Sequence, residues 1–550
     1  MARTVASAGL MEFNVADLFE CVVDHVPDRV AVSSDGADLT YRQLDDRTNR
    51  AAHVLADLGV APGEHVACYL HTSAAYLEVM LACFKLRAVP VNVNDRYTAD
   101  EVAYVCEDAD AVLLLADADG ASIAATIPGR VATLRAWLEV GGDEFERRLA
   151  AASPARDFPP RSPDDHFILY TGGTTGKPKG VVWRSEDIFF CAMGGGNAGG
   201  PPIETPEAIG PSALTNRAQR LGPFLPPGDP GPEQFVCLAL GPLGHASGQW
   251  SAFGTLLGGA RVVLYTERHV DPDAVLALVE REQVQMLNLV GDASGRPLLD
   301  ALRRDPGRHD TSSLRVLGSG GSMLSADVKQ GLLTELPTVL TVMEAVGSSE
   351  APVQALALLG PRSRGSESLH FAQRDTTMVV DDELRPIPPG SDQVGRLATT
   401  GRTPLGYYKD ETKSAATFVE IDGRRWTLPG DMAMVDADGS IRLLGRGSMS
   451  INTGGEKVYP EEVEAVLRTH PGVADAVVVG VPDPTWGERV VAVVAPAEEP
   501  PTLEDLQSHC RAGLAGYKVP RRLELVDAVP RLPAGKPDYP RIRATLDASA

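Results

Sequence analysis

Short apolar segments alternate with amphipathic segments along most of the chain. Strand-length apolar runs lie at residues 66–70, 89–93, 111–115, 235–240 and 262–265. Segments 75–85 and 272–282 instead carry apolar residues at the spacing of one helix face. This βαβ alternation is typical of parallel strands that are joined by crossover helices. The pattern therefore predicts an α/β protein with a large N-terminal body built on parallel sheets.

Two changes in composition divide the chain. Residues 194–233 are rich in Gly and Pro, which predicts a long loop or a covering insertion and not a domain. A second break lies at residues 445–448, which read GRGS. The strand and helix pattern then restarts over roughly a hundred residues, which is the size of a small domain. We predict an N-terminal domain at residues 1–445 and a C-terminal domain at residues 446–550.

The overall charge narrows the range of partners. The 550 residues carry a formal net charge of −23, and no cluster of Lys and Arg offsets it. Nucleic acids and anionic membrane surfaces are therefore not expected partners, and any site for a polyphosphate must be locally basic. The chain contains neither a signal peptide nor an apolar run of about eighteen residues. We expect a soluble, cytoplasmic protein without a membrane span.

The cysteines add little chemistry. All seven are scattered without CxxC spacing. This arrangement indicates neither a zinc site nor a disulfide framework. Reduced thiols in an intracellular compartment are the simplest interpretation.

Residues 170–180 read YTGGTTGKPKG and carry the clearest indication of chemistry in the chain. Backbone N–H groups of a Gly-rich turn form an anion-binding nest, and Thr hydroxyls and Lys charges add to it. Only three residues separate Gly172 from Gly176, and Pro178 follows Lys177. The segment therefore does not fit the GxxxxGK[ST] pattern of kinases and GTPases, and it predicts a polyphosphate-binding loop of another kind.

This loop resembles the phosphate-binding loop of the adenylate-forming superfamily, which comprises acyl-CoA synthetases, amino-acid-adenylating domains of peptide synthetases and luciferases. The resemblance continues in order from about residue 39 to residue 539 through several separated motifs. It implies a large N-terminal α/β body and a small, mobile α+β C-terminal domain. The hinge is expected near Arg446 to Ser448, where Ser448 replaces the Asp or Lys that is usual in the family.

The resemblance also implies which residues bind ATP and AMP. The tetrapeptide at 347–350, GSSE, is similar to a family signature whose carboxylate, here Glu350, holds Mg²⁺. Asp431 is implied to accept both ribose hydroxyls, and Arg446 to contact the same sugar or a phosphate. Val346 stands where an aromatic residue commonly stacks on adenine, and Pro429 replaces a Thr. The implied ATP and AMP ligands are Thr171, Gly172, Gly173, Thr174, Thr175, Gly176, Lys177, Gly320, Gly321, Ser322, Val346, Gly347, Ser348, Ser349, Asp431 and Arg446.

Four residues are implied to be catalytic, namely Lys536, Thr174, Glu350 and His245. Lys536, in RLPAGKPDY, is similar to a C-terminal lysine whose ammonium bridges the acid carboxylate and the α-phosphate in the transition state. His245, in GPLGHASG, is similar to a histidine beside the acyl pocket. We expect it to gate the pocket or to contact the carboxylate, and a purely structural role stays open.

Together these motifs imply a two-step reaction that uses ATP, Mg²⁺ and coenzyme A. A carboxylate attacks the α-phosphate of ATP to form an acyl-adenylate, and a thiol then displaces AMP to give a thioester. The loop expected to face the pantetheine of coenzyme A contains Gly454, Gly455, Glu456 and Lys457. No carrier domain follows Lys536, so coenzyme A or a separate carrier protein is the expected acceptor.

The acid itself is less closely defined. The motifs around the hinge and around Lys536 look most like those of actinobacterial acyl-CoA ligases that act on large lipidic, steroid-type or terpenoid-type acids. Small residues in the implied acyl pocket leave room for such an acid, and they are Gly241, Gly244, Ala246, Gly248 and Gly320. Small residues also occur for backbone reasons, and an aromatic amino acid or a short-chain acid is the weaker alternative.

Three other interpretations stay open. Val346 and Pro429 depart from the nucleotide-binding pattern, so the chain could be a partial ligase that converts a preformed acyl-adenylate supplied by a partner enzyme. It could also be a stand-alone adenylating enzyme that loads a carrier protein. The third alternative is not an enzyme but an adenylate-binding regulator. The presence of Lys536, Glu350 and Thr174, which are implied to be catalytic, argues against it. A homodimer is a further expectation that the sequence leaves open.

Overall fold

The computed structural model describes most of the chain. The described residues are 11–171, 177–196, 201–215, 233–321, 324–360, 370–371, 373–446, 449–453, 456–483, 487–512, 514, 516–532 and 535–548. They form alternating helices and strands, so the α/β class is confirmed. The strands and helices predicted at 66–70, 75–85, 89–93, 111–115 and 272–282 are present, with ends that differ by at most one residue.

The strands are numbered in chain order. They are β1 Val30–Ser34, β2 Ala37–Thr40, β3 His65–Tyr69, β4 Val89–Val93, β5 Ala111–Ala116, β6 Ala136–Glu139, β7 His166–Thr171, β8 Lys179–Arg184, β9 Val236–Ala239, β10 Arg261–Leu264, β11 Met286–Leu289, β12 Val316–Gly320, β13 Thr341–Val346, β14 Ala355–Leu359, β15 His370–Phe371, β16 Thr377–Val380, β17 Gly395–Thr400, β18 Gly406–Tyr407, β19 Phe418–Ile421, β20 Arg424–Thr427, β21 Asp431–Val435, β22 Ile441–Arg446, β23 Ile451–Thr453, β24 Glu456–Val458, β25 Val473–Asp483, β26 Gly487–Pro496 and β27 Arg522–Leu525.

The α-helices are numbered in the same way. They are α1 Val15–His25, α2 Tyr41–Asp57, α3 Ala74–Leu86, α4 Ala99–Asp108, α5 Ala121–Ala124, α6 Asp143–Ala151, α7 Ser185–Ala192, α8 Ile209–Thr215, α9 Ala246–Leu257, α10 Pro272–Glu282, α11 Gly291–Arg304, α12 Ala326–Glu335, α13 Glu411–Thr417, α14 Pro460–Leu467, α15 Leu503–Arg511 and α16 Tyr539–Ala548.

The N-terminal body contains two sheets with long parallel stretches. The first has eight strands in the order β14-β13-β12-β11-β9-β10-β1-β2 and is parallel from β13 to β1. The second has the order β18-β8-β7-β4-β3-β5-β6 and is parallel from β7 to β6. Strands such as β4 and β5 are buried along their whole length, as expected for parallel strands that are covered on both faces.

Helix starts follow from capping residues in the sequence. Asn14 accepts a hydrogen bond from the backbone of Ala16 at the start of α1. Thr40 and Gln43 form a reciprocal capping box at the start of α2. Such caps satisfy backbone N–H groups that have no partner inside the helix. These caps fix the residues at which the helices begin. The apolar faces of α1, α2 and α3 then share one core with the second sheet.

The Gly- and Pro-rich region is not wholly a loop. Residues 209–215 form α8, which packs against α1. Gly210 lies so close to α1 that an added Cβ would be 2.2 Å from the ring of His25. The Arg29 guanidinium also donates to the carbonyl of Ala213, at 2.9 Å. The prediction of a covering insertion is therefore closer to the structure than that of a plain loop, because tertiary contacts stabilise a helix that composition alone does not indicate.

The chain passes from one sheet to another near the predicted hinge. Strand β22 ends at Arg446 in a third, mostly antiparallel sheet, whose order is β15-β22-β21-β17-β20-β19 with β16 beside β17. Strand β23 begins at Ile451 in a fourth sheet, whose order is β24-β23-β26-β25 with β27 beside β26. Helices α14 and α15 form one core with this last sheet, and α16 forms a second core on its other face. Within the described part of the chain, no helix has the length and apolar character needed to cross a bilayer.

Candidate active site

Asn92 joins the two parallel sheets at their carboxyl ends. Its side-chain amide donates to the carbonyl oxygens of Tyr170 and Gly244, both at 2.8 Å, and its oxygen accepts from the Tyr170 N–H at 2.7 Å. Tyr170 directly precedes Thr171, and Gly244 directly precedes His245. A single buried side chain therefore fixes the predicted phosphate loop beside the predicted acyl pocket, as expected where the carboxyl ends of parallel strands meet.

The hairpin of β7 and β8 flanks the predicted phosphate loop. Thr171 ends β7, whereas Gly172, Gly173, Thr174, Thr175 and Gly176 lie outside the described residues. The Lys177 ammonium lies 4.4 Å from the centre of the Tyr104 ring, a cation–π contact. Lys179 forms an ion pair with Asp410, so its charge is already partly balanced by a carboxylate.

The GSSE turn is tightly packed between two parts of the body. An added Cβ at Gly347 would lie 2.1 Å from the carbonyl oxygen of Pro352, so only Gly fits there. The Trp183 indole, on β8, donates to the carbonyl oxygen of Ser349 at 2.9 Å. The Tyr407 hydroxyl, on β18, donates to Glu350 Oε1 at 2.6 Å. Glu350 is therefore held in one orientation beside the hairpin that flanks the phosphate loop.

The chemistry of this turn fits a magnesium ion. Glu350 supplies a hard carboxylate ligand and is only 9% exposed. Ser348 Oγ is buried and has no hydrogen-bond partner among the described residues, which leaves a hydroxyl for a phosphate oxygen or a metal-bound water. The described residues contain no group of three or more metal-ligating side chains. Mg²⁺ needs none where it also binds substrate phosphates.

Asp431 and Arg446 face each other across adjacent strands. Asp431 begins β21, and its Cα is paired with that of Arg446 at the end of β22. The Asp431 carboxylate is 7% exposed and accepts a 2.8 Å hydrogen bond from the side-chain amide of Gln354. The structure thus brings the predicted ribose acceptor and the predicted hinge arginine together, although the side chain of Arg446 lies outside what is described.

The predicted adenine-binding segments lie at the ends of neighbouring strands. Gly320 ends β12 and is paired with Ala345 of β13, directly before Val346. Gly321 has a φ of +79°, in the left-handed region that favours glycine. Val346 is half-buried, and Ser322 lies outside the described residues. The two predicted adenine-binding segments therefore lie side by side at the carboxyl edge of the first sheet.

The charge of Lys536, in the predicted C-terminal domain, acts on His245, in the predicted N-terminal domain. Burial and, to a smaller extent, the positive charge of Lys536 together lower the pKa of the His245 imidazole from 6.5 to about 4. The lysine segment lies against the first turn of α11. Gly535, with a φ of +76°, packs so closely there that an added Cβ would be 2.8 Å from Ala293 and 3.0 Å from Val290. Lys536 therefore lies at the carboxyl edge of the first sheet.

The predicted coenzyme A loop is described only in part. Gly454 and Gly455 lie outside the described residues. Glu456 and Lys457 begin β24, which pairs antiparallel with β23, and their side chains are not described. The fourth sheet thus presents this segment as one of its edges.

The small residues of the implied acyl pocket differ in whether neighbouring atoms leave space for a larger side chain. An added Cβ at Gly248 would lie 2.2 Å from the carbonyl oxygen of Pro242, so packing alone requires this glycine. Among the described residues, the same Cβ would meet no atom within 4 Å at Gly244, and at Gly320 only the Ala345 oxygen, at 3.6 Å. Open space therefore lies beside Gly244 and Gly320. Gly248 gives no information about the size of the substrate, because packing alone explains it.

Four site residues were not predicted from the sequence, namely Asn92, Trp183, Gln354 and Tyr407. Asn92 lies in the apolar run VPVNV, where a polar residue in a buried strand needs a partner. That interruption could have identified it. The other three lie in stretches where no pattern distinguishes them from ordinary core or surface residues.

Comparison with known proteins agrees with this geometry. Residues 19–408 match the AMP-binding enzyme family, and residues 462–536 match the AMP-binding enzyme C-terminal domain. The 3-oxocholest-4-en-26-oate–CoA ligase of Rhodococcus rhodochrous is 41% identical over 547 residues, which are 96% of this chain and 95% of that protein. The medium/long-chain-fatty-acid–CoA/3-oxocholest-4-en-26-oate–CoA ligase of Mycolicibacterium smegmatis is 42% identical over 96% of both chains.

A solved structure has the same architecture. The anthranilate CoA ligase AuaEII, in complex with anthranoyl-AMP, superposes with a TM-score of 0.81 over 98% of this chain and 99% of its own. At 23% sequence identity this likeness shows a common fold. The family matches and the relatives together show that the chain belongs to the AMP-binding enzyme family, the adenylate-forming family that its motifs resemble.

Proposed function

We propose that this protein is an AMP-forming acyl-CoA ligase that activates a bulky, hydrophobic carboxylic acid. Residues 1–445 would bind ATP, the acid and coenzyme A, and residues 446–550 would form a mobile domain that supplies Lys536. The observation that carries the proposal is the packing of Gly535, next to Lys536, against Val290 and Ala293 at the carboxyl edge of the first sheet, where the Lys536 charge acts on His245. A cation delivered to the site by the second domain is what adenylate formation requires.

The first step is nucleophilic attack of the acid carboxylate on the α-phosphate of ATP. In our proposal Lys536 contacts both groups, so it offsets charge as the acyl oxygen approaches phosphorus and pyrophosphate departs. His245 stays neutral above about pH 5 because its pKa is about 4, so it can border an apolar pocket without a charge of its own. Thr171, Lys177 and the Thr174 loop would bind the departing pyrophosphate.

A magnesium ion bound at Glu350 would offset the negative charge of the phosphates. Ser348 provides a hydroxyl on the same turn, and Tyr407 holds the Glu350 carboxylate in place. Asp431 would accept the ribose hydroxyls and Arg446 would contact the sugar or a phosphate. Gly320, Gly321 and Val346 would lie along adenine, with Ser322, Gly347 and Ser349 beside them.

The second step needs a different position of the C-terminal domain. The thiol of coenzyme A attacks the acyl carbon of the adenylate, and AMP leaves with the carboxylate oxygen. Lys536 would withdraw by rotation about the segment at Arg446 to Ser448, where the chain changes sheets. The loop at Gly454, Gly455, Glu456 and Lys457 would then face the pantetheine.

The substrate class follows from the relatives and from the open space beside Gly244. Two relatives that match nearly the whole chain are named for steroid acids, and one of them also for medium- and long-chain fatty acids. No atom of the part of the chain that the structure describes lies within 4 Å of a Cβ placed on Gly244, next to His245, so a wide acyl group would have room there. We therefore propose a fatty, steroid-type or terpenoid-type acid.

Product analysis by mass spectrometry tests the proposal. The protein is incubated with ATP, Mg²⁺, coenzyme A and one acid from a panel of fatty, steroid, diterpenoid, aromatic and short-chain acids. We expect an acyl-CoA and AMP with at least one bulky acid and much less with short-chain or aromatic acids. The proposal is wrong if no acid gives either AMP or a thioester.

The same experiment separates the alternatives. Acyl-CoA formed only from a supplied acyl-adenylate would identify a partial ligase that depends on a partner enzyme. AMP release that requires a carrier protein in place of coenzyme A would identify a carrier-loading enzyme. Binding of the adenylate without turnover would identify a regulator. A homodimer and a cytoplasmic location stay predictions, which light scattering and cell fractionation can test.

A further inference from the structure

Gln354 connects the GSSE turn to the predicted ribose acceptor. Its side chain is fully buried, and its amide Nε2 donates to Asp431 Oδ2 at 2.8 Å. Its backbone N–H donates to the carbonyl oxygen of Val346 at 2.9 Å. One residue thus contacts both the strand end expected beside adenine and the carboxylate expected beside ribose.

The chemistry of this pair suits recognition of a neutral diol. A carboxylate only accepts hydrogen bonds, so the amide nitrogen and not the amide oxygen of Gln354 must face Asp431. An amide orients the carboxylate without neutralising it, whereas Lys or Arg would compete with the ligand for the negative charge. The hydrogen bond from Gln354 therefore orients Asp431 and leaves its negative charge in place.

The amide oxygen of Gln354 accepts no hydrogen bond from the described residues. This atom, Gln354 Oε1, is also buried. A buried acceptor without a donor is costly unless a ligand or a water supplies one. Its position next to Asp431 indicates that the missing donor arrives with the nucleotide.

We propose that Gln354 is a positioning residue for ribose recognition, which holds Asp431 so that its carboxylate faces the two hydroxyl groups of the sugar. This inference rests on the proposed function, because it assumes that Asp431 binds the ribose of ATP. It adds that selectivity for a ribonucleotide depends on a residue outside the motifs that define the family resemblance.

The test compares ATP with 2′-deoxy-ATP in Gln354→Met and in a matched control. Methionine keeps the volume of the side chain but removes the hydrogen bond to Asp431. Gln285→Met is the control, because Gln285 is also buried and accepts a 2.7 Å hydrogen bond from the Val236 N–H, but it directly precedes β11, at the amino end of that strand. The readout is kcat/KM for each nucleotide in ATP–pyrophosphate exchange, together with calorimetric affinity.

We expect Gln354→Met to lower the preference for ATP over 2′-deoxy-ATP by about 5- to 10-fold, mainly through KM, as for loss of a hydrogen bond to a charged group. The preference should not change in Gln285→Met. An unchanged preference in folded Gln354→Met overturns the inference even when the enzyme is active. If neither the native protein nor any variant forms an adenylate, the proposed function is wrong. The affinities for ATP and 2′-deoxy-ATP, measured by calorimetry, then decide the inference about Gln354.

A second substitution keeps the inference testable if the methionine variant does not fold. Gln354→Glu keeps the shape but places a second carboxylate beside Asp431. We expect its affinity for ATP to fall above neutral pH and to recover at lower pH, because a proton shared between the two carboxylates restores the lost donor. An affinity for ATP that does not change with pH in this variant would contradict the assigned role.

Discussion

The Tyr407 hydroxyl and the Glu350 carboxylate are joined by a hydrogen bond of 2.6 Å. Tyr407 lies on β18, the strand added to the edge of β8, and Glu350 lies at the end of the turn after β13. The two residues come from different sheets and are 57 positions apart in the chain. The bond therefore fixes the candidate metal ligand relative to the hairpin that flanks the phosphate loop.

Removal of this hydroxyl should weaken the magnesium site. In Tyr407→Phe the Glu350 carboxylate loses a donor, and we expect adenylation to fall about 10-fold or more, with a higher Mg²⁺ concentration needed for half-maximal rate. Magnesium titrations of ATP–pyrophosphate exchange measure this. Tyr408→Phe is the control, because it also removes a tyrosine hydroxyl from this segment, but that hydroxyl bonds Asp110, at 2.9 Å, and not Glu350. Equal Mg²⁺ dependence in the two variants would contradict the role of Tyr407.

Loss of the candidate catalytic lysine should separate the two half-reactions. We expect Lys536→Ala to reduce adenylation by at least about 100-fold, because a charge that offsets the transition state is lost. Thioester formation from a supplied acyl-adenylate should stay near the native rate, since Lys536 is withdrawn in that step. Lys409→Ala, which breaks an exposed pair with Asp110, is the control. If both half-reactions of Lys536→Ala fall together, the assignment is wrong.

The pKa of His245 should report the position of the C-terminal domain. Burial holds this pKa at about 4, and the charge of Lys536 contributes to the shift. In Lys536→Ala we therefore expect the pKa of His245 to rise toward its ordinary value. NMR titration of the imidazole C–H resonances, assigned with His245→Gln, measures the change. No movement of the resonance would mean that Lys536 does not approach His245 in solution.

The lowered pKa of His245 also has a consequence for stability. The unfolded chain binds this proton near pH 6.5 and the folded chain only near pH 4, so the contribution of His245 is lost as the pH falls between them. His245→Gln should make the loss of stability between pH 7.5 and pH 5 smaller by about 2 kcal/mol. Thermal unfolding of both proteins across this range is the measurement. Parallel curves would contradict the prediction.

A buried charge cluster should matter for folding and not for chemistry. The Lys85 ammonium is fully buried and bonds Glu20 at 2.6 Å and Asp45 at 2.7 Å. Burial alone raises the pKa of Glu20, but the charges of Lys85 and Arg161 outweigh it and hold that pKa at about 2. The stabilisation by Glu20 is therefore present above about pH 4.5 and is lost as the pH falls toward 2.

Lys85→Met leaves two buried carboxylates without this partner, so we expect a loss of about 3–5 kcal/mol in stability at neutral pH. Lys409→Ala removes only an exposed pair, for which about 0–1 kcal/mol is usual. Urea unfolding of both variants measures the difference. The two variants should differ clearly in stability, and similar values would show that the cluster is not a stabilising element.

A side chain at position 244 should discriminate between acids by size. Gly244 has room for a Cβ, and its φ is not in the left-handed region, so Gly244→Val should fold. We expect its kcat/KM to fall about 10-fold or more for a steroid acid and to change little for a short-chain acid. An equal effect on both acids would place the acyl pocket elsewhere.

The architecture could be predicted from the sequence because it depends on local patterns. The apolar run that forms β4 and the amphipathic segment that forms α10 each specify their own structure by period and length. Helix α8 could not be predicted in this way. Its Gly, Pro and Ser residues disfavour a helix, and it forms because it packs on α1.

The residues of the candidate site also differ in whether a local sequence pattern identifies them. The sequence predicts roles for Glu350, Asp431 and Lys536 because each lies in a short motif that resembles a known family, and these roles stay predictions. Gln354 and Tyr407 could not be predicted, because each acts through a partner that is distant in sequence, 77 and 57 positions away. Such a pairing is a property of the folded chain and leaves no local pattern.

The hydrogen bonds of Asn92 have a consequence for the stability of the proposed acyl-adenylate between the two half-reactions. This side chain spans the chain segments before the phosphate loop and before His245, and both belong to the N-terminal body. The separation between the nucleotide and the acyl pocket is therefore set without the C-terminal domain. In the proposed reaction, a mixed anhydride bound across that separation would keep its binding site while the C-terminal domain rotates. Its protection from hydrolysis would then depend on the shape of the N-terminal body and not on the speed of the moving domain.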